Sequence, residues 1–250
     1  PLLPTIMCWW LTTSSDRFFI QHYFSLSDNG IYAVAARFGA IMQIVGAIIF
    51  QAWQEMALRQ YNSPDRDKFF SEMVNLFIMF MSIAALCFAF GLKIVYPFIV
   101  SPEYVAGIVY VFPIIASSVL YALSNILEVG YQCSFETGRA LLGVGVSAAV
   151  NILLNFVLIQ TIGIYGVVVT SVVTYAVLLG FRIHDSRRYF KINISKMSIL
   201  TVAIGAVGVF PFYFTDSVLV DVVMIMIGLA AMTLVAPRVL RSLRQSKRGS

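Results

Sequence analysis

The feature that most constrains this chain is a series of apolar stretches, separated by proline, glycine or charge clusters. Each stretch is about 20 residues long, which as a helix is enough to cross a hydrocarbon core of about 30 Å. Apolar residues make up 60% of the sequence and charged residues 12%, against about 25% charged residues in a soluble domain. The alternation expected of membrane β-strands is missing. The sequence therefore predicts an all-α integral membrane protein.

The breaks between apolar stretches predict eight transmembrane helices. Very short turns are expected at Ser27–Gly30, at Ser101–Glu103, around Gly163 and at Thr215–Asp216. The chain opens on Pro1 and has no basic-then-apolar leader, so we expect it to be part of a longer protein. The predicted spans are 2–25, 31–57, 69–98, 106–134, 141–162, 164–183, 197–214 and 217–237.

The charges in the loops predict the orientation, because Lys and Arg accumulate on the cytoplasmic side. Of the 17 Lys and Arg residues, all but Arg17, Arg37 and Lys93 lie in or beside the loops after spans two, four, six and eight. Both ends of the chain are therefore expected in the cytoplasm. The basic tail is either an ordinary stop-transfer flank, the favoured interpretation, or a site for anionic lipid; it comprises Arg238, Arg241, Arg244, Lys247 and Arg248.

Three charged residues lie deep in the first two predicted spans, where an ionisable side chain usually faces a bundle interior or a wet cavity. Asp16 and Arg17 are in span one and Arg37 is in span two. Because the two spans form an antiparallel hairpin, Asp16 is expected to reach Arg17 or Arg37. The remaining positive charge then suits a cavity for an anionic group such as phosphate. The alternative is a closed ion pair that locks the hairpin.

Span four carries a polar stripe, in which Tyr121, Asn125, Glu128 and Gln132 share one helix face. Such a stripe is typical of an aqueous path, and Glu128 is expected either to carry a coupling proton or to balance an arginine. The alternative is hydrogen bonding between helices.

Two further sets of polar residues lie in predicted spans. In span two, Gln51 shares a face with Arg37, and in span three Lys93 is expected to reach the membrane interface or the cavity. In span five, Ser147, Asn151 and Asn155 repeat every four residues, a pattern that more often joins helices than binds a ligand.

The sequence lacks the usual signs of an enzyme or a nucleic-acid-binding protein. It has no G-x-x-x-x-G-K-[ST] phosphate loop and only two histidines, with no long loop for a soluble active site. The basic residues follow membrane topology and do not form a nucleic-acid patch. The three cysteines lie in apolar segments without CxxC spacing, so neither a disulfide framework nor a metal site is expected. No catalytic residue or cofactor is predicted.

The first hairpin is similar to a stretch of bacterial polysaccharide and O-antigen flippases, the oligosaccharide transporters of the multidrug/oligosaccharidyl-lipid/polysaccharide superfamily. The similar residues run Ser15-Asp16-Arg17-Phe18-Phe19-Ile20 and then Leu26-Ser27-Asp28-Asn29-Gly30-Ile31-Tyr32-Ala33-Val34-Ala35. Two later stretches agree with the family pattern: Pro102-Glu103-Tyr104, and Asn151 through Gly163-Ile164-Tyr165-Gly166. The resemblance covers roughly residues 1–190, most of the chain.

The resemblance implies a two-lobe transporter with alternating access, of which this chain is the C-terminal half. Residues 1–190 would form one six-helix lobe and residues 191–250 an extra helix pair. The implied cargo is an undecaprenyl-diphosphate-linked oligosaccharide, flipped across the bacterial inner membrane, and the implied partners are membrane lipids and the N-terminal lobe. The cavity cations would be Arg17, Arg37 and Lys93, beside Asp16 and Gln51; Glu128, Asn125 and Gln132 would form a coupling path. Alternatives are a multidrug or cation efflux transporter, a membrane-embedded polysaccharide enzyme and a non-transporting scaffold.

Overall fold

A computed structural model describes the backbone of residues 2–246 and the side chains of residues 3–233. Every regular element in that range is helical, which confirms the predicted all-α class. The α-helices are α1 (Leu2–Tyr23), α2 (Leu26–Gln60), α3 (Arg66–Ile99), α4 (Ile108–Cys133), α5 (Thr137–Ile162), α6 (Ile164–Ser186), α7 (Lys196–Val207), α8 (Val209–Phe214) and α9 (Val218–Ser246). A short 3-10 helix, Pro102–Gly107, precedes α4.

Within residues 3–233, six helical segments are long and apolar enough to cross a membrane. Five of them are α2 to α6, with the 3-10 helix extending α4, and the sixth is the consecutive pair α7 and α8 over Lys196–Phe214. The apolar part of α9 within the described side chains, Val218–Thr233, is shorter. These segments are compatible with a multi-pass membrane protein, while the count of eight spans stays a prediction.

The first connection differs from the predicted turn at Ser27–Gly30. Helix α1 ends at Tyr23 and α2 begins at Leu26, so Ser27–Gly30 forms the first turn of α2. The cause is a capping box, in which the Ser25 hydroxyl accepts from the Asp28 N–H and the Asp28 carboxylate accepts from the Ser25 N–H. This pair satisfies two N–H groups that a helix start leaves without partners. Helix α2 therefore starts five residues earlier than predicted.

The contacts between helices divide the chain into two compact units. In the first unit α2 packs against α4, α4 against α6, α6 against α5, and α5 against α1. In the second unit α3 packs against α7 and α9. Contacts thus group α3 with the helices that follow residue 190. The predicted lobe of 1–190 and the extra pair of 191–250 concern a complete transporter and stay predictions.

Close packing of α2 against α4 fixes the framework of the first unit. A Cβ atom built on Gly39 would lie 2.4 Å from Ile114 Cγ2, so only glycine permits this approach of the two backbones. Nearer the other end of α2, the buried Trp53 indole donates to the carbonyl of Ile126 at 3.0 Å. Small residues and interhelical hydrogen bonds are the usual means of joining helices in membranes.

A hydrogen-bonded strap joins the extended segment 191–195 to α3 in the second unit. The Asn75 amide donates to the carbonyl of Asn193 at 2.7 Å and accepts from the N–H of Ser195 at 2.7 Å. These bonds satisfy main-chain groups that have no helical partner.

Candidate functional site

Asp16 is the centre of a buried polar cluster in the first unit. Its carboxylate accepts hydrogen bonds from the hydroxyl of Tyr32 at 3.1 Å, the amide of Asn155 at 2.8 Å and the hydroxyl of Ser171 at 2.9 Å. The four side chains come from α1, α2, α5 and α6. All three donors are neutral, so they fix the position of the carboxylate but do not neutralise its charge.

The positions of Asp16 and Tyr32 along the hairpin explain their contact. Asp16 lies seven residues before the end of α1, and Tyr32 lies six residues after the start of α2. At ~1.5 Å per residue both are roughly 10 Å from the connection between the helices. The two side chains therefore lie at the same depth along the hairpin and can contact each other.

The expected contact of Asp16 with Arg17 or Arg37 does not form. Arg17 follows Asp16 by one residue, a rotation of about 100° around the helix. Arg37 lies five residues beyond Tyr32, which places it roughly 7 Å further along α2 and about 140° around it. Both arginines are exposed, and neither makes an ion pair with any described residue. The closed ion pair predicted as the alternative to a cavity is therefore not what the hairpin forms.

The direction of Arg37 follows from the packing of α2. The residues of α2 that are buried against its neighbours include Ala35 and Gly39, each two positions from Arg37 and hence about 200° away around the helix. Arg37 thus lies on the face opposite the packed one, and Gln51 is exposed on the same side of α2.

Glu128 is paired with an arginine that the sequence did not mark as a site residue. Nη2 of Arg182 lies 3.0 Å from the Glu128 carboxylate, and Nη1 donates to Asn125 at 3.0 Å. The Arg182 side chain is 1% exposed and that of Glu128 28%. Of the two roles expected for Glu128, balancing an arginine corresponds to this contact. The only sequence signal for Arg182 was its place just inside the predicted end of span six.

Two further members of the predicted polar path also have partners. Nε2 of Gln54 on α2 donates to Oε1 of Gln132 on α4 at 2.7 Å, and Tyr121 packs against the ring of Trp9, with centroids 4.7 Å apart. On α5, Asn151 accepts from the Ser15 hydroxyl at 2.6 Å. The favoured interpretation of the α5 stripe, joining of helices, corresponds to this bond and to that between Asn155 and Asp16.

Lys93 is bound within the second unit. Its ammonium donates to the carbonyl of Phe212 at 2.8 Å and to that of Thr215, and it lies 3.7 Å from the Asp221 carboxylate. The first two contacts satisfy carbonyls at the end of α8, which have no hydrogen-bond donor within the helix. Unlike Arg17 and Arg37, Lys93 is already neutralised by its neighbours.

A network of charges joins the connection between α4 and α5 to the end of α6. Arg139 lies 2.7 Å from Glu136 and 2.9 Å from Asp185. The Tyr189 hydroxyl donates to Glu136 at 2.9 Å; burial of this tyrosine, together with that bond, raises its pKa to about 12. The basic tail, interpreted as a stop-transfer flank or alternatively a site for anionic lipid, lies outside the side chains that the structure describes; it comprises Arg238, Arg241, Arg244, Lys247 and Arg248.

Residues 3–233 hold no cluster of three or more His, Cys, Asp or Glu side chains that could bind a metal ion, and Cys8, Cys87 and Cys133 are free thiols.

No protein-family model, curated protein or solved structure matches the chain. The function must therefore be argued from the residues and from the resemblance in the first hairpin.

Proposed function

We propose that this chain is the C-terminal half of a flippase that moves undecaprenyl-diphosphate-linked oligosaccharide from the cytoplasmic to the periplasmic leaflet of the bacterial inner membrane. The proposal includes eight spans with both ends in the cytoplasm, and an N-terminal lobe that completes the transport path. It rests on the order of motifs in the first hairpin and on the two cations of that hairpin.

The observation that carries the proposal is the lack of an anionic partner for Arg17 and Arg37 within residues 3–233. An arginine at the centre of a membrane helix costs roughly 2.5–3.5 kcal/mol on insertion scales, and such residues normally face a cavity or a partner. Asp16, the sequence neighbour of Arg17, instead accepts hydrogen bonds from Tyr32, Asn155 and Ser171. Two exposed guanidinium groups on adjacent helices suit a diphosphate, which arginine binds in a bidentate manner.

The transport cycle also requires an energy source, and Asp16 is a better candidate for coupling to it than the predicted Glu128. Glu128 is neutralised by Arg182 at 3.0 Å, whereas every donor to Asp16 is neutral. An unmatched buried carboxylate is expensive, so a cation taken up from solution would stabilise it. We propose that an ion gradient acts on the lobe through this cluster.

Replacing the arginines in the full-length protein tests the cargo site. Arg17→Gln and Arg37→Gln should each stop surface polysaccharide export while the protein still inserts into the membrane, as measured by immunoblotting of membranes and of the exported polymer. Arg59→Gln is the matched control, because Arg59 is an exposed arginine at the far end of α2. Normal export in both cavity variants would show that these arginines do not bind the cargo.

Replacing Asp16 tests the coupling proposal separately. Asp16→Asn keeps the size and one acceptor of the side chain but removes its charge. The variant should insert normally, and its transport rate in liposomes should no longer respond to an imposed proton or sodium gradient. An unchanged response to both gradients would remove Asp16 from the coupling mechanism and leave the cargo site unaffected.

A further inference from the structure

We propose that a set of three polar side chains binds sugar hydroxyls of the cargo; we call it the amide cluster, and it comprises Gln54 of α2 with Glu128 and Gln132 of α4. The inference rests on the proposed flippase function and adds to it a second subsite, distinct from the arginines. The arginines would hold the diphosphate, and the amide cluster would hold the saccharide chain.

The bond between Gln54 and Gln132 leaves much of their hydrogen-bonding capacity unused. It occupies one N–H of Gln54 and one lone pair of the Gln132 oxygen at 2.7 Å. Each amide carries two donors and an oxygen with two lone pairs. Both side chains are partly exposed, so a ligand can use the rest. A sugar hydroxyl, which both donates and accepts, matches this mixed set.

Glu128 adds a carboxylate acceptor one helical turn from Gln132, and Arg182 fixes its position at 3.0 Å. The arginine is buried, whereas Glu128 is 28% exposed, so the carboxylate has an accessible side. Because the two charges cancel and the glutamines are neutral, the cluster has no net charge to attract a phosphate. Its complementary ligand is a neutral, hydroxyl-rich molecule.

The helices that carry the cluster are joined rigidly at this level. The Trp53 indole, next to Gln54 in sequence, is buried and donates to the carbonyl of Ile126 at 3.0 Å. Gln54 and Gln132 therefore need little reordering when a ligand binds, which lowers the entropic cost of association.

The cluster and the arginines lie far apart along α2. Gln54 follows Arg37 by 17 residues, which corresponds to roughly 25 Å of helix. The exposed side chains between them include the apolar Ile41, Ile44 and Ile48. A single sugar next to the diphosphate cannot reach from one subsite to the other, whereas a longer saccharide can. The inference therefore predicts that the cluster matters only for long cargo.

The experiment compares two ligands on the full-length protein in lipid nanodiscs. One is the free oligosaccharide released by mild acid from the lipid-linked precursor of the host cell, and the other is undecaprenyl-diphosphate carrying one sugar. The double variant Gln54→Ala/Gln132→Ala should weaken binding of the free oligosaccharide by about tenfold, as expected for the loss of a few hydrogen bonds. Binding of the single-sugar lipid in the same nanodiscs should be unchanged.

Gln160→Ala is the matched control, because Gln160 is an exposed glutamine that donates to Tyr23 between α5 and α1. It should alter neither measurement. If the double variant does not fold, the single change Gln54→Ala provides a second test: it should weaken oligosaccharide binding several-fold.

The inference is overturned if the wild type does not bind the free oligosaccharide, if the folded variants bind it as the wild type does, or if both ligands are affected equally. The last result would mean that the bond between Gln54 and Gln132 only joins α2 to α4 and does not bind the saccharide. Failure of the proposed function is a separate result: the wild type would then not move the single-sugar lipid across the bilayer of liposomes, whatever its affinity for the free saccharide.

Discussion

The ion pair between Arg182 and Glu128 makes a prediction about stability that depends on an asymmetry in burial. Arg182 is 1% exposed and Glu128 is 28% exposed. Removing one member of a pair leaves the other charge without its partner, which costs about 3–5 kcal/mol when that charge is buried. When the charge that is left behind can reach water, the loss of stability is smaller, roughly 1–2 kcal/mol, similar to the loss of an exposed ion pair or of one hydrogen bond.

Glu128→Gln should therefore be the more damaging single change. It leaves a buried guanidinium whose Nε has no hydrogen-bond partner among the described residues, and since glutamine keeps one acceptor we expect a loss of about 3 kcal/mol in unfolding free energy. Arg182→Met leaves only Glu128, which can turn to water, and fills the space with an apolar chain. Its expected cost is about 1–2 kcal/mol. The unfolding free energy of the double variant should lie within about 1 kcal/mol of that of the Arg182→Met variant.

The assay is reversible unfolding of the full-length protein in mixed micelles, with the four proteins compared as a double-mutant cycle. The reasoning is refuted if Arg182→Met costs as much as Glu128→Gln, or if the double variant loses the sum of the two single costs. Equal costs would mean that the difference in burial does not decide the penalty, whereas additive costs would mean that the guanidinium is not stabilised by the carboxylate.

Two further predictions concern packing and the second unit. Gly39→Ala should cost about 1–3 kcal/mol, because its Cβ would lie 2.4 Å from Ile114 Cγ2, whereas Gly91→Ala, with nothing within 4 Å, should cost nothing; equal melting temperatures for the two variants would contradict the close approach of α2 and α4. Lys93→Met should lower unfolding free energy by about 2–3 kcal/mol, since it leaves Asp221 without its ion pair, and Asp221→Asn should recover part of that loss in the Lys93→Met background. No recovery in the same micelle assay would show that the pair does not stabilise the unit.

Hydropathy predicted the helical segments well because their length and apolar content are set by local sequence. The position of the first turn was harder to predict. Ser27–Gly30 has turn-forming residues, but the capping box of Ser25 and Asp28 draws the same residues into α2. Because α2 starts earlier than predicted, Tyr32 and not Arg37 lies at the same depth along the hairpin as Asp16.

Sequence patterns identified which faces are polar but not which side chains meet. The stripe of α4 was visible as a period of three to four residues, yet its partner Arg182 lies on α6, far along the chain. Arg182 resembled one more basic residue of the loop that follows. Its burial depends on the packing of α4 against α6, a tertiary contact that no local pattern encodes. The contacts of Lys93 show the same limit, since Phe212, Thr215 and Asp221 come from α8, α9 and the turn between them.

The most direct test of the central claim is transbilayer movement of the cargo itself. Full-length protein is reconstituted into liposomes that carry fluorescent undecaprenyl-diphosphate oligosaccharide, and the fraction accessible to a membrane-impermeant quencher is followed over time. We predict rapid movement with the wild type and with Arg59→Gln, and movement no faster than in protein-free liposomes with Arg17→Gln/Arg37→Gln. Equal rates for the wild type and protein-free liposomes, or for the wild type and the arginine variant, would contradict the account.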